Sequence, residues 1–100
     1  MDERTGSTIL LVEDHDDTRR AVETWLRRRG HVVLSAGNKR HAFAIAQRET
    51  FEILVCDIQL PDGNGWEIIE DLKEDRPHLV GIATSGHGTV QDRERSRHAG

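Results

Sequence analysis

The sequence has 100 residues, 35% of them hydrophobic, with 14 basic and 18 acidic side chains for a net charge of −4. That length supports one small domain, the charge argues against binding nucleic acid through overall basicity, and the single cysteine, Cys56, excludes an internal disulfide framework or a cysteine-rich zinc site. The polar opening MDERTGS carries no signal-peptide core and no apolar run approaches membrane-spanning length, so a soluble, cytoplasmic chain is expected, without membrane contact.

Residues 1–7 read as a flexible tail and 8–100 as the domain. The first expected strand is TILLVED, from Thr8. A helix follows, with Thr18, Val22, Trp25 and Leu26 on one face, and Gly30 closes it after Arg27, Arg28 and Arg29. HVVLSAG, from His31, is the second strand, and Ala42, Ile45 and Ala46 mark the second helix. FEILVCD, from Phe51, is the third strand; it runs into the loop QLPDGNG. Trp66, Ile69 and Leu72 line a third helix that must stop before Pro77. HLVGIATSG, from His78, is the fourth strand, and a weakly amphipathic fourth helix starts near Thr89 with only Val90 and Ala99 apolar.

Strands rich in Val, Ile and Leu without clean alternation are expected to be covered on both faces of a parallel sheet. Strand and helix in alternation predict an α/β fold, a doubly wound parallel sheet with right-handed crossovers. Trp25 and Trp66 are then partly buried packing residues, and Cys56 a small buried hydrophobe.

Ligands of open parallel sheets bind at the carboxyl ends of the strands. The first strand delivers Glu13 and Asp14 there, the third Asp57, and the fourth Thr84 and Ser85. Carboxylates brought that close repel one another, and a hard divalent cation relieves the repulsion. The cluster therefore predicts an Mg²⁺ site able to meet a phosphoryl group, with no basic side chain among the carboxylates. Asp57 is followed by an open turn, which suits an exposed nucleophile on phosphorus. Ser85 or Thr84 then lies in reach of a phosphoryl oxygen. Asp16 and Asp17 read instead as the acidic first turn of a helix.

ILLVEDHDDTR, VCDIQLPDGNGWEII and IATSGHG, in this order and spacing, resemble the receiver domain of bacterial two-component response regulators, a chemotaxis-Y-like, flavodoxin-like fold. The resemblance runs from about Ile9 to Gly100, and Asp57, Pro61 and Gly65 are its most specific part. It implies strand order 2-1-3-4, Asp57 as phosphoacceptor, Asp14 as a direct Mg²⁺ ligand and Glu13 as one through water. It further implies the backbone carbonyl of Gln59 in the metal shell, Ser85 as the switch hydroxyl with Thr84 as its alternative, and a sensor histidine kinase or phosphotransfer protein as partner. The family's lysine on a fifth strand, and the helix after it, have no counterpart before Gly100; Lys39 and Lys73 are the only lysines and fall on predicted helices. The expected domain thus stops before its fifth strand, leaving the fourth as an edge suited to pairing with a second copy.

Two other functions compete with a phosphorylation switch. One is an interaction module of the same fold that takes no phosphate. The other is a hydrolase resembling the haloacid dehalogenases, which need a second aspartate two residues after the nucleophile; Gln59 stands there. The histidines show no metal-ligand spacing, and the charged run from Gln91 reads as a solvated helix face.

Overall fold

A computed structural model describes residues 6–84. Ser85, His87, the expected fourth helix and the charged run from Gln91 lie outside the described residues.

Strand β1 (Thr8–Val12) leads to helix α1 (Asp16–Arg28), β2 (Val32–Ala36), α2 (Lys39–Arg48) and β3 (Ile53–Asp57). A miniature hairpin of β4 (Gln59–Leu60) and β5 (Gly63–Asn64) follows, then α3 (Gly65–Asp75) and β6 (Val80–Thr84). The long strands form one parallel sheet in the order β2-β1-β3-β6. This is the expected 2-1-3-4, because the fourth long strand is sixth in the chain once the hairpin is counted. The sequence shows only a loop here, because two-residue strands are too short to show a hydrophobic period.

Alternation along the strands sorts the core. Leu10, Val12, Leu54 and Cys56 are fully buried with Ile68 and Ile69 of α3 and Ala42 of α2. Ile9, Leu11 and Val33 alternate with that set, and α1 packs along β1 and β2. Two expectations fail on this side. Val80 and Ile82 of β6 are 51% and 36% exposed; among the described residues β6 is covered on one face only, because α1 packs on β1 and β2. Trp25, expected to pack, is 55% exposed, with the Arg29 guanidinium 4.1 Å above its ring. Trp66 is buried as expected.

The helix ends follow local chemistry. Asp16 and Asp17 occupy the first turn of α1, and Gly30 closes the helix with φ 92°, a backbone region that favours glycine. Asn38 caps α2 by accepting from the His41 amide at 2.8 Å. Asp62, at the tip of the hairpin, accepts from the Lys39 and Arg40 amides at 2.8 and 3.1 Å. Those two amides hold the Asp62 carboxyl below its ordinary value. One carboxylate thus ties the hairpin to the start of α2.

Asn64 caps α3 through the Trp66 amide at 2.7 Å. Asn64→Ala should cost about 1 kcal/mol, lowering the melting temperature of so small a domain by about 4–8 °C. Thermal unfolding followed by circular dichroism checks this; an unchanged midpoint would mean the cap adds nothing to α3.

Candidate functional site

The carboxyl ends of β1 and β3 bring Glu13, Asp14 and Asp57 together. The chain leaves β1 after Val12, held by the Glu13 amide donating to the Ala36 carbonyl at 3.0 Å. It bends at Asp14 and enters α1 at Asp16. That bend turns consecutive side chains toward one place, where a continuing strand would have alternated them. Oxygen atoms of Glu13, Asp14 and Asp57 and a ring nitrogen of His15 can all be chosen within 4.8 Å of one another.

Asp57 is the last residue of β3 and is only 2% exposed. The expectation of an open carboxylate does not hold: it lies at the base of the cluster, flanked by β1 on one side and β6 on the other. Its Oδ1 accepts from the Gln59 amide at 3.2 Å. Burial pushes its carboxyl above the ordinary value, the Gln59 amide pulls it back, and the charges of Glu13 and Asp14 push it up again. Glu13 is likewise buried, and its Oε2 accepts from the His15 amide at 3.0 Å. Asp14 is more open, yet its Oδ1 is enclosed without a hydrogen bond. A cleft of about 430 Å³ opens beside it, between the start of α1 and Gly37 to His41.

The expectation of no basic side chain among the carboxylates does not hold. His15 Nδ1 lies 3.1 Å from Glu13 Oε2 and 3.3 Å from Asp14 Oδ1. The bond to Glu13 foremost, then the Asp14 charge, raises the imidazole pKa. Arg19 reaches back from α1, donating to the Glu13 carbonyl at 3.1 Å and to Asp16 at 2.7 Å. Neither residue stood out in the sequence, because their roles depend on the bend after β1. Lys39 Nζ lies 3.6 Å from Glu67 Oε1.

The other expected residues fall around this centre. Thr84 pairs with Asp57 across β3 and β6, and its carbonyl accepts from the Ile58 amide at 2.9 Å, so its side chain shares Asp57's face of the sheet. Ser85 lies outside the described residues. Gln59 begins the hairpin just beyond Asp57, with its side chain exposed. Cys56 is buried, and desolvation foremost, then the neighbouring carboxylates, pushes its thiol up to about 12. That thiol stays protonated and inert.

The donor set fits a divalent cation. Three carboxylates share one small space, and one carboxylate oxygen, Asp14 Oδ1, is enclosed without a hydrogen bond. Hard cations take such oxygens. Among the described residues no helix is long and apolar enough to cross a membrane.

Comparison with known proteins places this geometry. The chain is 35% identical to the transcriptional activator PfeR of Pseudomonas aeruginosa, over 85% of this chain and 28% of that protein. It is 30% identical to the probable transcriptional regulatory protein TcrX of Mycobacterium tuberculosis, over 86% of this chain and 37% of that protein. The chain thus spans well under half the length of these relatives. Among solved structures, a CheY-like receiver domain protein of Methanospirillum hungatei superposes with a TM-score of 0.81 at 27% identity, covering 96% of this chain and 77% of that one. A response regulator of Burkholderia pseudomallei, described with a phosphorylated aspartic acid, calcium ion and citrate, superposes at 0.79 with 25% identity, covering 93% of this chain and 55% of that one. The family model of the response regulator receiver domain matches residues 9–100, and with the sheet order and the acidic cluster at its carboxyl edge it places this chain in that family.

Proposed function

We propose that this domain is a phosphorylation-operated switch whose acceptor is Asp57. The carrying observation is a buried strand-end carboxylate whose oxygen falls within 4.8 Å of those of Glu13 and Asp14. A carboxylate oxygen of Asp57 forms a bond to phosphorus as the bond from phosphorus to a kinase histidine breaks, and the departing imidazole takes a proton. Asp14, Asp57 and the Gln59 carbonyl hold Mg²⁺, with Glu13 acting through water. The cation supplies charge neutralisation, which with positioning is most of what phosphoryl transfer asks of a protein. The Gln59 amide already fixes one Asp57 oxygen, leaving the other to react. Ser85, or Thr84 beside Asp57, hydrogen-bonds the new phosphoryl group and carries the change outward. The donor is a sensor histidine kinase or phosphotransfer protein of the cytoplasm, and the domain turns over no substrate of its own.

The exposed flank of β6 supports a second reading, an interaction module that takes no phosphate. Among the described residues β6 is an outer strand, and Val80 and Ile82 are exposed on it. A second copy pairing there would cover a strand edge otherwise open to association.

Acetyl phosphate separates the two readings. With Mg²⁺, intact-protein mass spectrometry should show one added phosphoryl group, and chelation should abolish it. No adduct under any divalent cation, with concentration-dependent sedimentation, would favour the interaction module.

A further inference from the structure

The acidic cluster holds one group that oxygen chemistry does not require. His15 Nδ1 lies 3.1 Å from one oxygen of Glu13 and 3.3 Å from one oxygen of Asp14. Two donors at right angles around a metal, each at about 2.1 Å, lie about 3.0 Å apart, and tetrahedral donors slightly further. The imidazole nitrogen thus already stands where a neighbouring ligand of the same ion stands. The enclosed Asp14 Oδ1 that it faces has no hydrogen bond. The ring itself is 71% exposed, so no packing prevents it from swinging onto an ion.

A nitrogen donor changes which ion a site prefers. Mg²⁺ demands oxygen ligands and keeps much of its water. Zn²⁺, Co²⁺ and Ni²⁺ accept imidazole together with carboxylate, and bind such mixed sites more tightly than the harder ions do. We infer that His15 is a direct ligand of the divalent ion, so that this receiver takes a transition metal of the Zn²⁺ and Co²⁺ class in preference to Mg²⁺. The inference rests on the reading of the cluster as a cation site. The metal replaces the Nδ1 proton now donated to Glu13, and that proton moves to Nε2 or to solvent. Asp14 and Asp57 supply oxygens directly, and Glu13 acts through water. The competing account makes His15 a mere counter-charge that eases the repulsion of Glu13 and Asp14 and touches no metal.

Calorimetric titration of the wild-type chain with Mg²⁺, Mn²⁺, Co²⁺ and Zn²⁺ distinguishes these accounts, alongside His15→Ala, Asp14→Asn and His78→Ala. His78 lies before β6, at the far end of that strand from the cluster, and reports adventitious binding to histidines. The expected result is Co²⁺ and Zn²⁺ binding at least about tenfold tighter than Mg²⁺. His15→Ala should weaken Co²⁺ and Zn²⁺ by about tenfold to a hundredfold and leave Mg²⁺ within about threefold. The Co²⁺ visible absorption bands should shift in His15→Ala and stay unchanged in His78→Ala. Asp14→Asn should weaken every ion. If His15→Ala weakens no ion selectively, or strengthens all of them, His15 is a counter-charge and the inference is overturned. If Mg²⁺ and Mn²⁺ also fail to bind the wild type, the cation-site reading itself falls. If His78→Ala removes Zn²⁺ binding as His15→Ala does, the binding lies elsewhere and the inference is equally overturned.

Discussion

Asp57→Asn should unfold at a higher temperature than the wild type in cation-free buffer near neutral pH, while losing every response to acetyl phosphate. Asp57 is 2% exposed and shares its space with two further carboxylates. Folding without a cation therefore buries a charge whose surroundings disfavour it. Asparagine has the same shape, its carbonyl still accepts from the Gln59 amide, and its NH₂ group can donate toward Glu13 or Asp14. Removing an inadequately compensated buried charge should gain about 1 kcal/mol or more, which for a domain this small is about 4–8 °C in melting temperature.

The sign with pH follows from the raised Asp57 carboxyl. The folded state holds that proton more tightly than the unfolded chain does. Its penalty is therefore absent below the ordinary carboxylate value and grows as pH rises through the raised one. The stability gap between Asp57→Asn and the wild type should close on acidification. A divalent cation should reverse the order. An ion at ten times its Kd adds about 1.4 kcal/mol to a fold that binds it, and the asparagine variant gains less. Melting curves with and without cation, at two pH values, check all of this. A variant less stable than wild type in cation-free buffer would show that His15 and Arg19 already compensate the cluster.

The frame of the fold was legible because it rests on periodicity. Runs such as ILLV and ILVC mark strands, and Ala42, Ile45 and Ala46 mark a buried helix face. The acidic trio was legible because strand ends in a parallel sheet share one edge. What stayed hidden depends on single bends and on neighbours far along the chain. His15 follows Asp14 directly, and adjacency within a strand would have pointed it elsewhere. Only the exit from β1 lets its ring meet Asp14 as well as Glu13. The hairpin after Asp57 consists of two-residue strands, and Asp62 ties it to α2 across more than twenty residues. Trp25 lies on the apolar stripe of α1, but stripe position does not settle how far a side chain is covered; Arg29 lies over its ring.

Gly65→Ala should destabilise the domain by about 1–3 kcal/mol or more, while Gly63→Ala, two residues earlier, should cost less than about 1 kcal/mol. Gly65 opens α3, and its amide donates to the Ile58 carbonyl at 2.8 Å. A methyl group there would fall onto the carbonyl oxygen of Asp57 and within 2.9 Å of the Ile58 Cα. Both neighbours are backbone, so neither has a rotamer to change. Relief requires moving either the start of α3, which carries the buried Trp66, Ile68 and Ile69, or the strand end that carries Asp57. Alanine's better helix propensity, worth about 1 kcal/mol, acts in the opposite direction but does not remove an overlap with main chain. At Gly63 the same methyl meets Lys39 Cδ at 2.6 Å, in a flexible chain that can swing aside. Urea unfolding gives the two costs, and the rate of acetyl phosphate labelling under fully folded conditions gives the effect on the site. Gly65→Ala should slow labelling beyond its loss of stability, because the displaced carbonyl belongs to the acceptor itself. Equal costs at the two glycines, with labelling unchanged, would mean that α3 yields freely and that the close approach of Gly65 does not set the position of Asp57.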